Sequence, residues 1–268
     1  MAYFNLQLFE ADGHLNFDTR VDEKGFSSGI SKLGGIAKGG LAVLGASVAG
    51  ITAAFAGMSK AALGSVASLE QNVGGVETLF KENAKTVIEN ANNAYKTAGL
   101  SANEYMQSVT SFSASLLQSV AGDTAEAAKI ADMAMVDMSD NANKMGTDMT
   151  SIQNAYQGFA KQNYTMLDNL KLGYGGTKEE MNRLLADATK ISGVKYDISN
   201  LNDVYSAIHV IQGELDITGT TAKEASTTIE GSMNAAKAAF DNFLNGSGTA
   251  KELADAVATV ARNVGKNL

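Results

Sequence analysis

The sequence predicts an all-α protein: an elongated bundle of helices and helical hairpins, preceded by a short N-terminal β-hairpin. Three observations predict it. The chain has no proline in 268 residues, where ordinary usage of about 5% would place roughly a dozen, and such a chain suits long unbroken helices. From Ser65 onward apolar residues recur at the three-four spacing of a helix face. Ser, Thr or Asp is repeatedly followed, three positions on, by Glu, the pattern of a helix start.

Residues 1–26 form the first segment. Phe4, Leu6 and Leu8 alternate with Asn5 and Gln7, and Leu15, Phe17, Thr19 and Val21 alternate with polar residues. This is the two-residue period of half-buried strands, and Asp12-Gly13 between them is a turn signal. A lone hairpin is marginal in water, so these strands are expected to pair with another chain or to pack on a helix.

Residues 27–62 form a Gly/Ala-rich apolar helix. Gly39 to Ser59 carries no charge between Lys38 and Lys60. A helix of that length spans about 30 Å, enough for a bilayer, but its glycines make it a weak insertion candidate. Ala42, Ala46, Gly50 and Ala54 stand four apart and form one smooth ridge, which lets helices approach closely. Association in an oligomer is the favoured reading, ahead of conditional membrane insertion and of a permanent anchor. The segment starts too late, and without a basic leader, for a cleaved signal peptide.

Residues 63–245 read as a helical domain. Val66, Leu69, Val73, Val76, Phe80 and Val87 mark one helical face, with an interruption expected at Gly74-Gly75, and Tyr105, Val109, Phe112 and Leu116 mark the next. Capping boxes are expected at Ser101/Glu104, Asp123/Glu126, Thr221/Glu224 and Thr249/Glu252. Met133, Met135, Met138, Met145 and Met149 are read as core fillers, because Ile130, Ala134 and Met138 share a face. The chain breaks near Asp197 to Asn202 and resumes a helix with Val204, Ile208 and Ile211. Residues 246–268 begin a further helix without a stop signal, as if cut short.

The stretch from Leu170 to Leu184, LKLGYGGTKEEMNRL, has the glycines, threonine and lysine of a phosphate cradle in the wrong order. A phosphate-binding loop places Lys before Ser/Thr, whereas here Thr177 precedes Lys178 and the acidic Glu179 and Glu180 follow. An interhelical turn fits better: Gly173, Gly175 and Gly176 end one helix in a left-handed conformation, and Thr177 with Glu180 opens the next as a capping box.

No catalytic, metal-ligating or cofactor-binding set emerges. Cysteine is absent, which excludes disulfides and thiolate chemistry. His14 and His209 lack partners at ligand spacing, and no nucleophile elbow, zinc-protease helix or dinucleotide fingerprint occurs. Glu179-Glu180 sits at a helix start, where the macrodipole accounts for it. Twenty-one basic against 29 acidic residues, a net charge of -8, disfavours specific nucleic-acid binding. The expectation is a protein that is not an enzyme and uses no cofactor.

The run from Met145 to Ala188, MGTDMTSIQNAYQGFAKQNYTMLDNLKLGYGGTKEEMNRLLADA, resembles the signature region of tail tape measure proteins of long-tailed bacteriophages and of prophages in Gram-positive bacteria. LNFDTRVDEKGFSSGISKLG, ASLEQNVGGVETLF and TGTTAKEASTTIEGSMNAAKAAFDNFL agree, so the likeness covers nearly the whole chain from Leu15. It implies a structural virion protein, assembled in the bacterial cytoplasm, that lies in several copies in the lumen of the tail tube. Such a protein contributes to tail-length determination and to DNA ejection. The partners implied are further copies of itself, the tube, tail-chaperone and tail-tip proteins, and possible contact with the host membrane at infection. Family members run much longer. A continuous helix of this length would reach only about 400 Å at about 1.5 Å per residue, so the chain reads as an N-terminal portion. The rival reading is a membrane-active, pore-forming helical protein that inserts residues 39–59.

Overall fold

In the computed structural model the described residues are 48–267, with side chains described for 64–266. The strands expected in residues 1–26, and Ala42 and Ala46 of the small-residue ridge, lie outside them. Every regular element among the described residues is helical, and no strand occurs among them.

The first helix, α1, runs from Val48 to Phe80. It passes straight through Gly74-Gly75, where an interruption was expected. The reason is packing: a Cβ on Gly75 would stand 3.4 Å from the Thr110 methyl, so the glycine gives room to a neighbouring helix rather than breaking its own. The helix turns only at Lys81, which takes φ 48° before the short 3-10 turn Lys81–Asn83.

Next come α2 (Ala84–Thr97), α3 (Ala102–Ser119) and α4 (Thr124–Met145). Ser101 opens α3 with the full capping box: its side chain accepts from Glu104 N, and Glu104 Oε2 accepts from Ser101 N at 2.9 Å. Asp123 opens α4 by accepting from Ala125 N and Glu126 N, each at 3.0 Å. Glu126 returns no bond to it and instead approaches Lys129, so this expected box is half made.

The chain continues through α5 (Met149–Phe159), the 3-10 turn Leu167–Leu170, α6 (Lys178–Ser192) and α7 (Leu201–Glu214). It closes with α8 (Thr220–Thr227), α9 (Ile229–Asn245) and α10 (Ala250–Asn267). Thr249 and Glu252 form their box in full, with Thr249 N donating to Glu252 Oε2 at 2.7 Å and Glu252 N to Thr249 Oγ1 at 3.2 Å.

One apolar core is shared by α1 to α7. Phe112 and Leu116 of α3, Met135 and Met138 of α4, Tyr156 of α5, Met181 and Leu184 of α6 and Tyr205 of α7 are all buried in it. Each such side chain withdrawn from water contributes on the order of 1.5–3 kcal/mol. The methionine face is core as expected: Ile130, Ala134, Met135 and Met138 are buried, and Met133, Met145 and Met149 pack against its edge. A smaller cluster of Tyr95, Ala238 and Ala239, with Ala256 against it, joins α9 and α10 to α2. The helices after α1 therefore fold back on a common core and do not run on as one continuous rod.

Candidate functional site

The turn expected at Gly173, Gly175, Gly176 and Thr177 is present but built differently. The preceding helix ends at Phe159, and Lys171, not a glycine, closes the intervening 3-10 turn in the left-handed region at φ 52°. Of the three glycines only Gly173 has positive φ, at 87°. Gly176 is required for space, since a Cβ there would lie 2.2 Å from the Thr165 carbonyl oxygen. Thr177 caps α6 as expected, accepting from Glu180 N at 3.2 Å. Glu180 Oε2 does not return the bond to Thr177 N; it accepts from Gly175 N at 3.0 Å, while Thr177 N donates to Gly175 O.

Arg183 then locks the turn. Its guanidinium donates to Glu180 and to Gly173 O at 2.7 Å, and lies 4.3 Å from the centre of the Tyr174 ring. That hydrogen bond, with the one from Gly175, holds the Glu180 carboxyl below its ordinary range. The polar groups of this turn are satisfied by one another, and its inward carboxylate would repel a phosphate.

A second polar cluster was not legible as such. His209 on α7 meets Asp137 on α4, Nδ1 lying 2.8 Å from Oδ1 and 3.0 Å from Oδ2. Asp137 is 1% exposed and His209 41% exposed. Burial pushes the Asp137 carboxyl up and His209 pulls it down, while the hydrogen bond to Asp137 raises the imidazole. Beneath the pair, Tyr205 donates to the Tyr156 carbonyl at 2.9 Å, and Gln212 Nε2 donates to Tyr156 Oη at 3.4 Å. His209, which has no partner at ligand spacing in the sequence, thus bridges two core helices through a residue 72 positions away.

Asp140, one turn on from Asp137, performs a different task. Thr221 was expected to cap its own helix with Glu224; α8 instead begins at Thr220, with Gly219 in the capping position. Gly219 has no side chain to offer. The fully buried Asp140 carboxylate supplies the acceptor, receiving Gly219 N at 2.6 Å and Thr221 N at 2.8 Å. The signal that could have found both carboxylates is their position: Asp137 and Asp140 stand within α4, one turn apart next to its apolar face, where buried charges require partners.

A cleft of about 1000 Å³ is bounded by α1, α3, α4, α8 and α9. Its walls are held by long-range hydrogen bonds. Asn103 Nδ2 donates to Ser65 O at 3.0 Å, Ser65 Oγ to Asp241 Oδ1 at 2.9 Å, and Ser139 Oγ to Ala98 O. Asn242 Oδ1 accepts from Ala102 N at 2.7 Å, tying the start of α3 to α9. Carboxylates dominate the rim: Glu104, Asp148, Glu224, Glu230 and Asp241 face one cation, Lys237. Phe240, 37% exposed, is the aromatic group of the lining, beside Leu100, Met149 and Leu244. No residue of the expected turn lines this cleft.

Gly50 and Ala54 of the expected ridge fall within α1. No helix among the described residues is long and apolar enough to cross a membrane. Comparisons with known protein families, curated proteins and solved structures return no match to the chain.

Proposed function

We propose that this chain is a helical structural component of tail tape measure type, from a long-tailed phage or prophage, that resides in the tail tube lumen as an oligomer. The observation that carries the reading is the likeness of Met145 to Ala188 to that family's signature region, together with what this region does in the fold. Tyr156, Phe159, Leu167, Leu170, Met181 and Leu184 bury their side chains in the common core, and Gly176 and the Glu180–Arg183 pair fix the turn that leads into α6. A segment that spends its unusual residues on internal packing is suited to a structural role and offers no reacting group.

On this reading residues 48–267 are a folded module and not a stretch of ruler, because their helices turn back on one core. The small-residue ridge Ala42, Ala46, Gly50 and Ala54 supplies the surface on which copies pack side by side.

Light scattering coupled to size exclusion, run on purified chain with and without detergent, is the first test. A discrete oligomer in plain buffer that Gly50→Leu or Ala54→Leu dissociates supports the reading. A monomer that assembles only in detergent or lipid favours the membrane-active alternative, in which residues 39–59 insert. Co-expression with tube and tail-chaperone proteins separates the two further, since only a tail component co-purifies with them.

A further inference from the structure

We infer that the cleft between α1, α3, α4, α8 and α9 is a docking site for a basic, amphipathic peptide segment of a partner protein. Its volume of about 1000 Å³ lies at the upper end of the range of ligand sites, about 300–1000 Å³. Charge selects the occupant: five carboxylates against one lysine give the lining a net charge of -4 (1 − 5). Glu104, Asp148 and Asp241 are held by internal hydrogen bonds to Ser101 N, Ser151 N and Ser65 Oγ. Glu224 and Glu230 form no ion pair with any cation among the described residues.

The remaining features point to a peptide and not to a small cation alone. Phe240, exposed in the same lining as the carboxylates, offers an aromatic surface on which the apolar side of a bound segment would rest. Thr147 and Thr221, both partly buried in the lining, have hydroxyl oxygens that are buried without a hydrogen-bond partner, and buried polar groups seek partners. A nucleic acid would meet repulsion from the same rim. The framework bonds of Asn103, Ser139 and Asn242 hold the walls in place before anything binds, which lowers the entropic cost of docking. This inference does not depend on the tail reading.

Fluorescence anisotropy of the full chain with a labelled lysine-leucine amphipathic peptide tests it, with a glutamate-leucine peptide and unlabelled spermine as comparisons. The expected result is that the basic peptide binds saturably, spermine competes with it and the glutamate-leucine peptide does not bind; Glu224→Gln with Glu230→Gln weakens the basic peptide at least about fivefold, as loss of a charge contact predicts. Phe240→Ala weakens the peptide by a similar factor and leaves competition by spermine unchanged. The pair Glu70→Gln with Glu77→Gln, which removes equal charge from exposed positions of α1 outside the cleft, is the control. If that pair weakens binding as much as the cleft pair, or the glutamate-leucine peptide binds equally well, the docking site is overturned. Absence of saturable binding by the wild-type chain overturns it too.

Discussion

His209 and Asp137, 72 positions apart in sequence, are joined at 2.8 Å where α7 crosses α4. The buried carboxylate and the half-exposed imidazole form an ion pair when His209 is protonated, and the neighbouring Asp140 adds to the same field. The folded state raises the His209 pKa, so the stabilisation is complete below the ordinary histidine value of about 6.5 and is lost as pH rises through the raised folded value. Urea unfolding should therefore show stability falling as pH rises above about 6.5, and His209→Gln should flatten that part of the profile. The amplitude is expected below about 1 kcal/mol, because half of the ring is open to solvent screening. An unchanged slope in the variant would assign the pH dependence to another group.

Asp140 caps a helix that is remote in sequence. Its carboxylate accepts two backbone amides at the start of α8 from a fully buried position. Asp140→Ala should cost about 2–4 kcal/mol, since two buried donors lose a charge-assisted acceptor. Asp140→Asn keeps an acceptor oxygen and should recover part of the loss. Chemical denaturation of both variants checks the order; equal stability of all three chains would remove Asp140 from the capping role.

The glycines of the α5–α6 connection are not interchangeable. Gly176→Ala drives a methyl to within 2.2 Å of the Thr165 carbonyl oxygen and should destabilise by about 2 kcal/mol or more, the scale of backbone displacement in a packed site. Gly173→Ala places alanine at φ 87° and should cost about 1 kcal/mol. Gly175→Ala meets only the Glu180 Cγ at 3.5 Å, an ordinary contact, and should be the mildest. Thermal melts of the three variants test the ranking.

Met138 and Met133 lie on one helix with different surroundings. Met138 is fully buried in the core, whereas Met133 packs at its margin. Met138→Ala should lose about 2–5 kcal/mol, and Met133→Ala clearly less. Near-equal losses would show that α4 repacks around the vacated space. The comparison separates methionine as core filler from methionine as adaptable surface.

The local devices of the fold were readable in one pass along the chain. The box at Ser101 and Glu104, the box at Thr249 and Glu252 and the Thr177 cap need only residues three apart, and they form as the spacing predicts. The Ile130–Ala134–Met138 face is likewise a property of periodicity alone. Where spacing misled, a distant group had intervened. At α8 the cap expected of Thr221 is supplied by Asp140, and at α6 the Glu180 carboxylate accepts from Gly175 N in place of Thr177 N.

The sequence by itself determined that this is a helical protein, where α3, α4, α6 and α10 start, and which faces α3 and α4 bury, because those properties follow from hydrogen-bond and side-chain periods within a few residues. Only the tertiary structure decided that Asp137 meets His209, that Asp140 and Asn242 serve helix starts 79 and 140 positions away, and that scattered acidic residues line one cleft. These are consequences of which helices pack together. The packing is selected by the summed burial of many small apolar contacts, and no short window of sequence contains that sum.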